Sequence, residues 1–136
     1  MDRDRILTKL DLLDTYLEEL RSIIPKSLEE YKSSLQTKRV CERLLHLLIE
    51  IVTDVVYLLV KMKKLGLPAG DESAVDKLSK DLSEKTVANL KSMKRMRNIL
   101  VHHYEVIEDE KVFDVLENHL NDFDEFKEEA LKIINH

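Results

Sequence analysis

The stretch from Leu44 to Val60 constrains this chain more than any other. Leu44, Leu48, Ile51, Val55, Leu58 and Met62 recur at helical spacing, and Leu45, Ile49, Val52, Val56 and Leu59 form a second stripe beside them. A helix of about Thr37 to Leu65 that is apolar on two sides must be covered on two sides. A bundle core covers one stripe, so the second points to a subunit interface. The run is short for a bilayer and contains His46, Glu50 and Asp54, so a buried helix is expected and not a membrane span. Those three residues fall at i, i+4 and i+8 on the remaining narrow strip. They are read as a solvated strip in preference to carboxylates facing a reactive site.

The rest of the chain offers partners for that helix. Ile6, Leu10, Leu13, Leu17, Leu20 and Ile24 predict a first helix, interrupted by Pro25. Leu28, Tyr31 and Leu35 predict a short helix or a lead-in to the next. The segment Gly66-Leu67-Pro68-Ala69-Gly70-Asp71 is the clear break, with a capping Gly and a helix-ending Pro, and a short helix is expected over Ser73 to Lys80. Asp81 or Ser83 can cap a third long helix carrying Val87, Leu90, Met93, Met96 and Leu100. A fourth is expected from Asp109, with Val112, Leu116, Leu120, Phe123, Phe126 or Ala130, and Ile134 inward and His119 at its boundary. Only two Gly and two Pro occur in 136 residues, which leaves little material for β-turns. The expected fold is all-α: an up-down antiparallel helical bundle of four main helices plus short extras, one domain over residues 1–136.

Net charge is −5, which argues against broad non-specific binding of nucleic acid. The distribution is uneven. Lys91, Lys94, Arg95 and Arg97 fall within seven residues with no acid between them, whereas Glu105 to Glu129 holds eleven acids against Lys111 and Lys127. A local basic patch beside an acidic helix fits a focused phosphate site. The single Cys41 sits among helix formers and reads as a small apolar residue, not a nucleophile. The charged start, without a signal-type apolar core, leads to the expectation of a cytoplasmic protein. No Gly-rich phosphate loop, Gly-x-Ser-x-Gly or zinc-type Cys pattern is present.

One segment concentrates chemistry: Arg97-Asn98-Ile99-Leu100-Val101-His102-His103-Tyr104. An Arg can hold a phosphate with two parallel hydrogen bonds and stabilise growing negative charge. A His near its ordinary pKa can move protons at neutral pH. Arg97 and His102 supply that minimum, and Asn98, four residues before His102, can either orient its ring or help to end the helix. On a straight helix Arg97 and Tyr104 share a face, while His102 lies well around the cylinder. Either the helix loosens near His102 or a second copy completes the site across a dimer axis. The adjacent His102 and His103 lack further ligands at metal spacing, so no metal and no cofactor is expected.

The pattern Arg-x-x-x-x-His-x-Tyr formed by Arg97, His102 and Tyr104, with Asn98 after the Arg and a further helix downstream, resembles the HEPN superfamily of all-helical ribonucleases, in its HepT-like toxin branch. The resemblance spans the chain from the first helix to the last. It implies a metal-independent endoribonuclease in which the ribose 2′-OH is the nucleophile, Arg97 and His102 are catalytic, and the product bears a 2′,3′-cyclic phosphate. It implies a toxin of a type VII-like HEPN/MNT toxin–antitoxin system. The substrate is then RNA, such as a tRNA or mRNA, and not DNA. The partner is a nucleotidyltransferase (MNT) antitoxin that silences the toxin by AMPylation of Tyr104. A homodimer is expected. His103 occupies the variable position of the pattern and inherits no role. The alternative is a non-catalytic HEPN module that binds or supports a nucleotidyltransferase.

Overall fold

A computed structural model describes residues 1–101 and 108–135. Among the described residues there are seven helices and no strand: α1 (Asp2–Ile23), α2 (Leu28–Ser33), α3 (Leu35–Met62), α4 (Asp71–Lys77), α5 (Glu84–Val101), α6 (Asp109–Asn118) and α7 (Asn121–Ile134). The expected all-α antiparallel bundle is observed, with α1, α3, α5 and α7 as its long members. None of the described helices is long and apolar enough to cross a membrane.

Helix α1 buries Ile6, Leu10, Leu13, Leu17 and Leu20, the stripe read from the sequence. It stops where Pro25 forbids the α region to the preceding residue, and Ile24 is extended at φ −62°, ψ 125°. Ser27 then caps α2, its hydroxyl accepting from the Glu30 N–H at 3.1 Å. The Tyr31 ring is fully buried against Phe113 of α6, with centroids 5.6 Å apart.

Helix α3 is the axis of the fold, with α1, α2, α4, α5 and α7 packed around it. Leu45, Leu48, Ile49, Val52, Val55, Val56 and Leu59 are each at most 3% exposed. Both apolar stripes are therefore covered within one chain, and the second stripe needs no subunit interface to explain it. The helix ends earlier than the sequence suggests. The left-handed residue that ends the helix is Lys64 (φ 55°); Gly66 (φ 91°) has positive φ as well but lies two residues further on. The N–H of Leu65 donates to the Val60 carbonyl and that of Lys64 to the Lys61 carbonyl, both at 3.1 Å. This is the paired pattern of a Schellman ending with a lysine where glycine is usual.

Ser83 caps α5 by accepting from the Thr86 N–H at 3.1 Å. Glu129 of α7 braces the same end, accepting from the Ser83 N–H at 2.6 Å and from the Thr86 hydroxyl. Burial pushes the Glu129 carboxyl up, but these hydrogen bonds outweigh it and hold it below the usual range.

The expected single fourth helix is instead two. The chain breaks at His119 (φ −125°, ψ 8°) between α6 and α7. The buried series still runs through Val112, Leu116, Leu120, Phe123, Phe126 and Ala130. The break lets α6 cover α2 while α7 lies on α1, α3 and α5, which one straight rod could not do. Arg21 to Asp124 at 2.6 Å, and Lys127 to Asp14, tie α7 to α1.

Candidate functional site

Arg97 lies just before the last turn of α5, four residues before the helix's final residue Val101. Leu90, Met93 and Arg97 follow one another at i, i+3 and i+7, so an inward ridge of α5 ends in a guanidinium. The first two are buried; the Arg97 side chain is 39% exposed. Its Nη1 donates to Asp71 Oδ2 at 3.5 Å. Asp71 is the first residue of α4, and its Oδ1 accepts from the Tyr57 hydroxyl of α3 at 2.8 Å. That bond, with burial second, raises the Tyr57 phenol above its ordinary pKa. One carboxylate thus links three helices and fixes one end of the arginine. The Arg97 Nε is buried and has no acceptor among the described residues. A donor in that condition is uncommon in a folded protein; an anion can reach the rest of this partly exposed side chain, not the covered Nε.

The surroundings continue the theme. Val52, Val56, Val75, Leu90 and Met93 wall a cavity of about 240 Å³ between α3, α4 and α5, with Arg97 and Asn98 among the residues that line it. Lys91 is held by Asp76 at 3.0 Å and lies 3.9 Å from Glu72. Arg95 donates to Ser92 at 2.9 Å. Lys94 is exposed at the cavity and forms no ion pair among the described residues.

The expected site residues therefore divide. Arg97 and Asn98 line one cavity. His102, His103 and Tyr104 lie outside the described residues. The strip on α3 is a surface strip. Asp54 pairs with Lys9 at 3.2 Å, and Glu50 approaches His46 within 2.9 Å; neither carboxylate lines the cavity with Arg97. The acid that does meet Arg97 is Asp71, which the sequence reading passed over together with Tyr57. Two signals were available: Tyr57 is a hydroxyl-bearing residue amid Val and Leu, and Asp71 opens a helix directly after Gly70. Among the described residues no three His, Cys, Asp or Glu side chains gather as metal ligands. Cys41 is buried, and burial pushes its thiol up to about 11, so it carries no reactive thiolate.

A model of the ribonuclease HepT-like family matches residues 13–130. The chain is 30% identical over 110 residues to the tRNA nuclease HepT of Aphanizomenon flos-aquae (strain 2012/KM1/D3), an alignment covering 79% of this chain and 75% of that protein. Its fold is similar to that of the Shewanella oneidensis HEPN toxin, solved tri-AMPylated and in complex with MNT antitoxin: TM-score 0.84, 22% identity, 93% of this chain and 96% of that one. It is similar also to a cytosolic protein of unknown function, YutE, from Bacillus subtilis: TM-score 0.83, 20% identity, 99% of this chain and 92% of that one.

Proposed function

The chain belongs to the ribonuclease HepT-like family, and we propose that it is the toxin of a HEPN/MNT toxin–antitoxin pair, a metal-independent endoribonuclease. The observation that carries this reading is the setting of Arg97. A guanidinium braced by Asp71, on a side chain still 39% exposed, is available to a phosphate at the mouth of a cavity. His102 follows α5 directly in sequence.

In the proposed reaction the 2′-OH attacks the adjacent phosphorus and the 5′-oxygen of the next nucleotide departs. Arg97 holds the non-bridging oxygens, whose negative charge grows in the transition state. His102 exchanges the protons that the 2′-OH loses and the 5′-oxygen gains. One imidazole cannot stand on both sides of the phosphorus at once, which supports a dimer in which two copies share the cleft. Val101, 43% exposed beside the motif, is an apolar residue that such a contact would cover. The nucleotidyltransferase partner transfers AMP to Tyr104, releasing pyrophosphate when the donor is ATP. The added phosphate competes with RNA for Arg97.

The test is RNA cleavage by protein purified with and without its partner. Arg97→Ala and His102→Ala should each lower the rate by on the order of 10²–10³ or more with helical circular dichroism intact. EDTA should have no effect. Cleavage of a substrate bearing 2′-deoxyribose at the scissile position would rule out the mechanism.

A further inference from the structure

The cavity beside Arg97 is more than a phosphate cradle. Its walls are aliphatic: Val56, Val75, Leu90 and Met93 are each at most 8% exposed. Its charge is one-sided. Four basic residues line it, Lys91, Lys94, Arg95 and Arg97, against two acids, Asp71 and Glu72, in a chain whose net charge is −5. The acids are occupied: Asp71 by Tyr57 and Arg97, Glu72 facing Lys91. What remains at the mouth is the positive charge of Lys94 and of Arg95, which among the described residues meets only the Ser92 hydroxyl, over an apolar interior. A molecule that satisfies both is a flat apolar group attached to an anion. At about 240 Å³ the space falls below the roughly 300–1,000 Å³ of ordinary small-molecule pockets, room for one ring system and not two.

We propose that this cavity is a nucleobase subsite, taking the base of one RNA nucleotide next to the phosphate held by Arg97, with that nucleotide's own phosphate on Lys94. The proposal rests on the ribonuclease reading and adds what the site does with the base. Single-stranded RNA is recognised largely through splayed-out bases, and burial of one such base beside Arg97 would set the register of the cleaved bond.

Methyl-resolved NMR of the full chain, labelled at Val, Leu and Met methyls, tests it with the four nucleoside 3′-monophosphates and with ribose 5-phosphate as a base-free control. The mononucleotides should shift the methyls of Val56, Val75, Leu90 and Met93 saturably, and ribose 5-phosphate should leave them in place. Lys94→Gln should weaken the mononucleotides about fivefold, as expected for one exposed charge contact. Val75→Phe should fill the cavity and abolish the methyl shifts; if that variant fails to fold, the contrast between base-bearing and base-free ligands in the unsubstituted protein decides alone. The proposal is overturned if no methyl moves, if the base-free ligand moves the same methyls, or if those methyls shift on dilution without ligand, which would mean that a second copy fills the space. An RNA cleavage assay on the same sample separates the two readings. Methyl shifts without cleavage remove the ribonuclease and leave a nucleotide site; cleavage without methyl shifts removes the subsite alone.

Discussion

Asp71→Ala is the informative perturbation, because one carboxylate performs two tasks. It accepts from Tyr57 at 2.8 Å and pairs with Arg97 at 3.5 Å, with side-chain exposures of 28% for Asp71 and 39% for Arg97. A hydrogen bond to a charged group contributes about 1.5–3 kcal/mol when water is excluded. Here water can replace part of it, so about 1 kcal/mol is the expected share for Tyr57. The Arg97 pair is longer and more exposed, and contributes about 0.2–1 kcal/mol. Asp71→Ala should therefore destabilise by about 1–2 kcal/mol, a fall in Tm of roughly 3–8 °C for a chain of this size. Tyr57→Phe should cost about 1 kcal/mol. If the phenol acts only through Asp71, the double variant should be no less stable than Asp71→Ala alone, a coupling of about 1 kcal/mol. Chemical denaturation of the four proteins measures it. Additive losses would refute the linkage of Tyr57 to Arg97 through this carboxylate. On the function proposed above, cleavage should fall in parallel, because a loosened Arg97 meets the phosphate less often in the productive geometry.

Three further outcomes are expected. Lys64→Gly should stabilise the protein by about 0.5–1 kcal/mol, since the left-handed conformation at φ 55° strains an L-residue but not glycine; unchanged or lower denaturation midpoints would contradict the assignment of the cap. Glu129 has a lowered folded pKa, so its stabilisation is present above the ordinary glutamate value of about 4.3 and is lost as pH falls through the folded value. The stability gap between the unsubstituted protein and Glu129→Gln should hold steady above about pH 5 and narrow below about pH 4, and a gap that widened in acid would reverse the sign of the argument. Tyr104→Phe should keep RNA cleavage but escape silencing by the nucleotidyltransferase, with mass spectrometry showing no AMP at that position; a partner that still inhibits this variant would point to occlusion.

The sequence by itself determined whatever depends on neighbours within a turn or two. The stripes of α1, α3 and α5 were legible because a 3.6-residue period maps apolar side chains onto one face whatever the rest of the chain does. The same locality placed Arg97 and Asn98 near the end of α5. Tertiary structure decided what depends on approach between distant segments. It covered both stripes of α3 within one chain, because five helices surround that axis. It split the last helix at His119, because covering α2 and lying on α1, α3 and α5 call for two directions. It chose Lys64 over Gly66 for the principal left-handed residue of the cap, because hydrogen-bond closure at Val60 and Lys61 fixed where α3 stops. And it brought Asp71, 26 residues away in sequence, against Arg97, while Glu50 and Asp54 turned to the surface. A carboxylate's sequence position carries no record of which cation it will meet; that pairing exists only once α3, α4 and α5 are packed together.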